Sequence, residues 1–364
     1  MSLKISPVKM GVLIGVFFLI VLTACATTLA TPTLIPTKMA RPTFTLGPTT
    51  DPTQPPLETA APTDTAILTS PTPTATLTPT PEPVRFAVIG DYGNGEQSEA
   101  DVAELVKSWN PDFIITTGDN NYASGEASTI DENIGQFYHQ FIYPYQGTYG
   151  AGAEANRLFP SLGNHDWYTA GAQPYLDYFE LPGNERYYDF EWGPVHLFAL
   201  DGDPNEPDGV GASSDQAAWL QSRLADSTAP WKIVYNHFPP FSSGPHGNTD
   251  WIQWPFQEWG ATAVLAGHDH TYERLLVDGL PYFVNGLGGA AKYNFESPVP
   301  GSQIRYNADF GAMLIEASEE SLTFQFINRK GEVIDTYDLT RKRLNYSQYI
   351  PVIQNEAQVS LAQR

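Results

Sequence analysis

The sequence predicts an α/β fold in which several strands end at one edge. Two apolar runs, at 84–89 and 112–117, are separated by a stretch from Glu99 to Trp109 with apolar residues at helical spacing. A strand, a helix and a strand at this distance predict a right-handed parallel crossover. Because the carboxyl ends of parallel strands form the ligand-binding edge of open α/β sheets, polar residues after the strands are candidates for a site.

The N-terminus predicts an export signal. Two lysines precede an apolar run at 12–22. This run is too short to span a bilayer of ~30 Å, which requires ~20 residues. The tetrapeptide Leu22-Thr23-Ala24-Cys25 resembles a bacterial lipobox, and Cys25 is the only cysteine of the chain. We expect residues 1–24 to be a lipoprotein signal peptide and Cys25 to carry lipid; an ordinary secretory peptide is the alternative.

A tether and a single large domain follow. Residues 25–83 are rich in Thr and Pro, a composition that cannot form a packed core and is typical of an extended, disordered spacer. We expect it to hold a domain at 84–341 away from the membrane to which Cys25 is anchored, so that the domain lies outside the cytoplasm. Residues 342–364 form a C-terminal tail of no assigned function.

The composition argues against a nucleic-acid partner. The chain has 41 Asp and Glu against 19 Lys and Arg, a formal net charge of −22. A nucleic-acid-binding protein would show a basic patch, and the sequence contains none.

The remaining elements continue the α/β pattern. We expect Ser98 to cap the first helix, and Ser213 with Gln216 to form a capping box at the start of a helix over 213–225. Residues 123–157 lack periodicity and predict a long loop with short helices. Further strands are predicted at 157–162, 195–200, 231–235, 261–266, 281–285, 312–317, 322–328 and 333–339.

Oxygen and imidazole donors follow five of these strands. With a nearby tyrosine they make seven candidate metal ligands: Asp91, Asp119, Tyr122, Asn164, His237, His268 and His270. Two cations that share Asp119 would each receive about four protein ligands and keep open positions, an arrangement that suits in-line displacement at phosphorus. Imidazole with carboxylate favours iron, zinc or manganese over calcium. Of the other histidines, His196 lies within a strand and is expected to be structural.

Five motifs carry these donors: Gly90-Asp91-Tyr92-Gly93, Gly118-Asp119-Asn120-Asn121-Tyr122, Gly163-Asn164-His165-Asp166, Val234-Tyr235-Asn236-His237 and Gly267-His268-Asp269-His270. Taken together, they resemble those of the purple acid phosphatases, within the calcineurin-like metallophosphoesterase superfamily. Tyr122 distinguishes this group from the wider superfamily, and the modest domain length is similar to the small form, tartrate-resistant acid phosphatase. The segment His270-Thr271-Tyr272-Glu273-Arg274 resembles the large plant form instead, so the sub-family stays open.

The resemblance implies a fold, a metal centre and an activity. The fold would be a two-sheet β-sandwich flanked by helices, in four αββα layers. Asp91, Asp119, Tyr122 and His270 would hold Fe(III), whereas Asp119, Asn164, His237 and His268 would hold divalent Fe, Zn or Mn. His165 and His246 would lie beside a small phosphate-ester substrate. The expected reaction is phosphomonoester hydrolysis by in-line attack of hydroxide held at the metals, best at acidic pH.

Two other functions stay open at this point. A metal-dependent phosphodiesterase or nucleotide hydrolase would use the same ligands, but it would need a pocket for a second ester group. A non-catalytic binding module on the cell surface would fit the tether, yet it would need neither open coordination positions nor His165 beside Asn164.

Overall fold

The structure is a computed structural model, and it describes residues 82–341. The predictions for the signal peptide, for Cys25, for residues 25–81 of the tether and for the tail at 342–364 therefore lie outside the described residues.

Between residues 82 and 341, thirteen strands account for most of the regular structure. In chain order they are β1 (Val84–Ile89), β2 (Phe113–Thr116), β3 (Leu158–Pro160), β4 (Tyr188–Trp192), β5 (Val195–Ala199), β6 (Trp231–Tyr235), β7 (Ala263–Ala266), β8 (Tyr272–Val277), β9 (Leu280–Asn285), β10 (Ser302–Tyr306), β11 (Gly311–Ala317), β12 (Ser321–Asn328) and β13 (Val333–Thr340).

The strands form two mixed sheets. The first has the order β13-β12-β11-β1-β2-β3, and the second has the order β10-β8-β9-β7-β6-β5-β4. In the first sheet β1, β2 and β3 are parallel, which confirms the predicted crossover. In the second sheet β5, β6, β7 and β9 are parallel. Each sheet thus contributes a parallel block whose strands end at the same edge.

Apolar side chains join the two sheets into one core. Phe283 of β9 stacks on Phe324 of β12 with ring centroids 4.7 Å apart, and Tyr272 of β8 stacks on Phe326 at 4.2 Å. These pairs link the second sheet to the first, and offset aromatic stacking adds to the free energy gained by burial. The predicted two-sheet sandwich is therefore confirmed.

In the described part of the chain six α-helices flank the sheets: α1 (Gln97–Ser108), α2 (Gln136–Tyr138), α3 (Asn164–Trp167), α4 (Gln173–Tyr178), α5 (Asp215–Asp226) and α6 (Phe256–Trp259). The residues Val102 and Val106 of α1 are fully buried in the core of the first sheet. Leu220 and Leu224 of α5 are buried in a second apolar cluster with residues of β6 and β7. None of the helices between residues 82 and 341 has the length and hydropathy needed to cross a bilayer.

Both predicted helix caps are wrong. The residue before α1 is Glu96, and the hydroxyl of Ser98 instead donates a hydrogen bond to the Gly289 carbonyl at 2.6 Å. At α5 the cap is Ser214, whose hydroxyl oxygen accepts from the Ala217 amide. At α1 the predicted capping residue, Ser98, makes a tertiary hydrogen bond instead of a cap. At α5 the cap is the next residue along the chain.

Candidate metal centre

The seven predicted ligands meet at one edge, beside the ends of strands from both sheets. Asp91 follows β1 and Asp119 follows β2, and both have left-handed backbone conformations, with φ of 55° and 52°. His268, after β7, also has a positive φ of 69°. Non-glycine residues rarely adopt this conformation, and its concentration at three candidate ligands is typical of a functional site.

One group of donors surrounds a point between Asp91, Asp119, Tyr122 and His270. Donor atoms of the two carboxylates and of His270 lie within 4.8 Å of one another, so they could hold a metal ion. The phenol oxygen of Tyr122 is 3.0 Å from Asp119 Oδ2 and 3.2 Å from His270 Nε2. Nε2 of His270 is 3.3 Å from Asp91 Oδ1. All four side chains thus point their donor atoms at one small volume.

A second group lies on the other side of Asp119. Nε2 of His237 is 3.3 Å from Asp119 Oδ2, 3.1 Å from Asn164 Oδ1 and 3.1 Å from His268 Nδ1. Oδ2 of Asp119 lies close to both groups, so two cations held here would share this residue. The structure therefore brings all seven sequence-predicted ligands together.

Backbone groups hold these ligands in place. The amide of His165 donates to Asp119 Oδ1 at 2.9 Å, and the amide of His268 donates to both carboxylate oxygens of Asp91. Nδ1 of His237 lies 2.8 Å from the Thr117 carbonyl, which can only accept, so Nδ1 carries a proton and Nε2 is the nitrogen that faces the other candidate ligands.

Close packing explains one glycine of the second motif. A Cβ at Gly118 would collide with the imidazole of His237, and the residue also has a φ of 85°. Glycine is therefore required both by conformation and by the approach of a ligand to the backbone.

Two buried carboxylates, those of Asp91 and Asp119, make the site negatively charged. Asp91 and Asp119 are almost fully buried, and the described ion pairs of both carboxylates are with histidines. Burial alone would raise the pKa of Asp119, but the charge of His237 outweighs it and holds this pKa well below its usual range. Burial lowers the pKa of His237, whereas the Asp119 carboxylate raises it to about 10. A cation between them would replace the proton that this pair otherwise shares.

Two further candidate ligands differ in how strongly they hold a proton. Burial and the neighbouring His237 lower the pKa of His268 to about 2, so its imidazole is neutral and free to bind metal. Burial, followed by the charges of Asp119 and Asp91, raises the pKa of the Tyr122 phenol well above its usual value. Its ionisation therefore requires a strong Lewis acid in contact with the oxygen.

The chemistry of the donor set fits two different cations. Carboxylate and phenol oxygens dominate around Asp91 and Tyr122, which suits a hard, highly charged ion. Around His237 the donors are two imidazoles, an amide oxygen and the shared carboxylate, which suits a divalent transition metal.

A cavity of about 420 Å³ opens beside these ligands. It is lined by Asp119, Asn164, His165, Tyr168, Asp203, Pro204, Phe238, His246, His268, His270 and Tyr293. The lining contains both histidines that were predicted to lie near a substrate. Its volume fits a phosphate group together with a ring-sized leaving group.

The two histidines of the cavity wall are held by different partners. Nδ1 of His165 lies 2.7 Å from the Ala123 carbonyl, and its ring packs against Tyr122 with centroids 4.3 Å apart. Nδ1 of His246 lies 2.9 Å from Asp269 Oδ1, and this hydrogen bond raises the pKa of His246 although burial opposes it. The other nitrogen of His165, Nε2, lies 3.9 Å from Asp119 Oδ2, which is beyond hydrogen-bond distance, so the Nε2 atoms of both rings can reach a ligand in the cavity.

Sequence reasoning missed several residues that shape the site. Asp166 belongs to the third motif, but no role was predicted for it. Its buried carboxylate accepts hydrogen bonds from the Gly163 amide and from the Asn120 side chain, both at 2.9 Å. It thereby joins the second motif to the third. Tyr293 and Asp203 lie in loops with no motif and were not predicted. As expected, His196 is structural, since its Nε2 lies 2.7 Å from Asp189 Oδ2, on the neighbouring strand.

Comparison with known proteins agrees with the site. The calcineurin-like phosphoesterase family matches residues 84–272. Tartrate-resistant acid phosphatase type 5 of Mus musculus is 24% identical over 310 residues, which cover 71% of this chain and 91% of the relative. Purple acid phosphatase 3 of Arabidopsis thaliana is 25% identical over 313 residues, which cover 72% and 79% of the two chains.

Solved structures of low identity share the fold. The purple acid phosphatase PPD1 from yellow lupin (Lupinus luteus) seeds has a TM-score of 0.58 at 18% identity, over 72% of this chain and 54% of that chain. GAP50, described as the anchor in the inner membrane complex of Plasmodium, has a TM-score of 0.57 at 20% identity, over 72% and 90%. The resemblance deduced from the five motifs is confirmed. Because the family match extends over more than half of the sequence, this chain belongs to the calcineurin-like phosphoesterase family.

Proposed function

We propose that this chain is an exported acid phosphatase with a dinuclear metal centre that hydrolyses phosphomonoesters. The observation that carries the proposal is the position of Asp119 Oδ2, 3.0 Å from the Tyr122 phenol oxygen and 3.3 Å from His237 Nε2. One oxygen is thus shared by two complete donor sets at the floor of a single cavity.

The proposed metals follow from the donors. Asp91, Asp119, Tyr122 and His270 would hold Fe(III), and Asp119, Asn164, His237 and His268 would hold divalent Fe, Zn or Mn. Tyr122 supports Fe(III), because a buried phenol beside two carboxylates ionises only against a strongly acidic metal. When bound, two such cations supply Lewis acidity toward a phosphoryl oxygen and lower the pKa of coordinated water.

His246 is suited to act on the leaving group. Its Nδ1–H donates to the carboxylate of Asp269, which orients the ring and raises its pKa, so the imidazole keeps a proton on Nε2 in weakly acidic solution. Placed in the cavity wall, that Nε2–H can donate a proton to the departing alkoxide oxygen.

His165 is suited to hold the phosphate. Since its Nδ1 donates to the Ala123 carbonyl, Nε2 can donate a second hydrogen bond only when the ring is protonated. A phosphate oxygen in the cavity would receive a charge-assisted hydrogen bond from the protonated ring. The acidic optimum inferred from the resemblance has its physical basis in His246, whose pKa the hydrogen bond to Asp269 raises.

The relatives support monoesters over diesters, because the chain matches acid phosphatases over about seven-tenths of its length. The cavity of about 420 Å³ has room for a phosphate with an organic substituent, against walls formed by Tyr168, Phe238 and Tyr293. A phosphodiesterase or nucleotide hydrolase with the same ligands is the alternative.

A purely structural role is the other alternative. GAP50, which shares the fold, is described as an anchor, so the fold alone does not imply an enzyme. What supports catalysis here is the complete set of seven ligands beside an open cavity that carries two further histidines.

A direct assay tests the proposal. Purified protein should hydrolyse p-nitrophenyl phosphate, best below neutral pH, and bis(p-nitrophenyl) phosphate much more slowly. Removal of metal by a chelator should abolish both activities, and added iron with zinc or manganese should restore them. Faster hydrolysis of the diester would favour the phosphodiesterase, and two bound metals without hydrolysis of either ester would favour the binding module.

A further inference from the structure

His270 differs from the ligand His237 in how its ring is fixed. Nδ1 of His237 lies 2.8 Å from the Thr117 carbonyl, whereas Nδ1 of His270 is buried with no hydrogen-bond partner among residues 82–341. A histidine that binds metal through one nitrogen usually donates its other N–H to a carbonyl or carboxylate, which sets the plane of the ring. For His270 another contact must supply that orientation.

The contact is a stacked tyrosine. The ring of Tyr293 lies parallel to the imidazole of His270, with an interplanar angle of 8° and centroids 4.1 Å apart. Tyr122 meets the same imidazole edge-on, at 6.1 Å and 81°. One face of His270 is therefore covered by Tyr293, and rotation of the imidazole about its bond to Cβ would drive it into that ring.

The backbone places Tyr293 independently of the cavity. Its amide donates to the His270 carbonyl at 3.0 Å, and its own carbonyl accepts from the Asn307 side chain at 2.7 Å. Nearby, the Ala290 amide donates to the Asp91 carbonyl at 2.9 Å. The loop that carries Tyr293 is thus attached to two of the residues proposed to hold the same ion, Asp91 and His270.

We propose that Tyr293 is a positioning residue, which sets the ring plane of His270 by stacking and so takes the place of the missing hydrogen-bond acceptor. The inference rests on the proposed metal centre. The aromatic ring of Tyr293, and not its hydroxyl, orients His270. Phenylalanine at this position should therefore preserve the orientation, whereas an aliphatic residue should not. A residue that only contacts substrate through its hydroxyl would show the opposite pattern.

The test compares Tyr293→Leu, Tyr293→Phe and wild type in the metal-loaded full-length protein. Chelator competition gives the affinity of each of the two ions, and the visible spectrum reports on the ion at Tyr122. Tyr168→Leu is the matched control, because Tyr168 lines the same cavity but contacts Asn164 and His165 instead of His270.

We expect Tyr293→Leu to weaken binding of the ion held by Tyr122 and His270 by about tenfold or more, because loss of a residue that orients a ligand has this effect at other metal sites. The absorption band of that ion should also shift. Tyr293→Phe should match wild type in both readouts, and Tyr168→Leu should leave the band unchanged. Equal affinities and an unshifted band in Tyr293→Leu would overturn the assignment while leaving the proposed function intact. A wild type that binds no metal would contradict both.

A second measurement does not depend on the leucine variant. In metal-free protein, stacking on Tyr293 should shift the ring-proton resonances of His270 upfield from those of a histidine in an unfolded peptide, and Tyr293→Phe should preserve the shift. Ring protons of His270 at ordinary positions would show that the stacking does not persist in solution and would overturn the proposal.

Discussion

The phenol oxygen of Tyr122 lies 3.0 Å from Oδ2 of Asp119, three residues earlier in the chain. The same oxygen of Asp119 lies 3.3 Å from Nε2 of His237, which follows a strand of the other sheet. A short turn after β2 therefore joins two donor sets that belong to different halves of the sandwich. The spacing of three residues lets the Asp119 carboxylate and the Tyr122 phenol reach the same point, and the first prediction concerns this carboxylate.

Asp119→Asn should remove both metals and not only one. The substitution takes a negative charge from the oxygen proposed to contact both ions, and an amide nitrogen in its place would repel them. Metal analysis of the purified variant should give well under one ion per chain, with hydrolysis lost in parallel. Asp203→Asn, which changes another carboxylate of the cavity lining, should keep two metals. Two bound ions and near-normal turnover in Asp119→Asn would rule out the bridge.

His246→Gln should slow the release of poor leaving groups more than that of good ones. Alkyl phosphates need a proton on the departing oxygen, whereas p-nitrophenolate leaves without one, and loss of a general acid costs about 10²–10⁴ in rate. We expect kcat for an alkyl phosphate to fall about 10²-fold, with a much smaller loss for p-nitrophenyl phosphate. His139→Gln, a change outside the cavity lining, is the control. Equal losses on both substrates would show that His246 does not protonate the leaving group.

Asp189 should make stability depend on pH at the acidic end. Burial raises the pKa of this carboxyl, but its hydrogen bonds to His196 and Arg223, at 2.7 Å and 2.6 Å, outweigh burial and lower the pKa below its usual value. The folded-state pKa is thus below the unfolded value of about 3.9. The stabilisation is fully present above that value and is lost as the pH falls through the folded pKa.

The corresponding experiment is urea unfolding of metal-free protein between pH 3 and 7. Asp189→Asn should lower the free energy of unfolding at pH 7 by about 1 kcal/mol, a modest figure because water screens part of the interaction. The difference from wild type should shrink below about pH 4. Glu104→Gln, on the exposed face of α1, should show no such difference. A difference that grows as the pH falls would contradict the assigned direction of the pKa shift.

Cys25→Ser should release the protein from membranes. The prediction rests on the lipobox-like tetrapeptide Leu22-Thr23-Ala24-Cys25 and on the Thr- and Pro-rich stretch after it. A single acyl chain binds a bilayer only weakly, so stable anchoring needs the two or more chains of a processed lipoprotein. Detergent phase separation of cells that express each form should place wild type in the detergent phase and the variant in the aqueous phase. Identical partitioning would contradict the anchor.

The sequence predicted the candidate ligands more completely than it predicted the strands. The predicted ligands follow strands that are mostly apolar and mostly buried, so local sequence carries the signal. By contrast, β4, β8 and β10 were not predicted, because they carry no continuous apolar run. In β8 the charged residues Glu273 and Arg274 find partners distant in sequence: Glu273 accepts from Ser243 and Ser302, and Arg274 pairs with Asp335. Such long-range pairing leaves no local pattern.

The helix caps and Tyr293 show the same limit. Gln216 fits a capping box by spacing, yet its side chain bonds the backbone of Asp201, fifteen residues earlier. Tyr293 stacks on His270 from an irregular loop after β9, and no spacing rule relates the two. Local spacing predicted the donors proposed to bind metal, but it did not predict the residues that contact and orient those donors, because such contacts depend on tertiary packing.

The most direct test of the account is the visible absorption spectrum of the purified wild-type protein, recorded with its metal content and compared with that of Tyr122→Phe. A phenolate bound to Fe(III) absorbs in the visible, so wild type should be pink to violet with two metals per chain, at least one of them iron. Tyr122→Phe should be colourless yet keep metal, since Asp91, Asp119 and His270 remain. A colourless wild type with two bound metals, or a spectrum unchanged by Tyr122→Phe, would contradict the proposed Fe(III)–tyrosine centre and favour a phosphoesterase with two divalent ions.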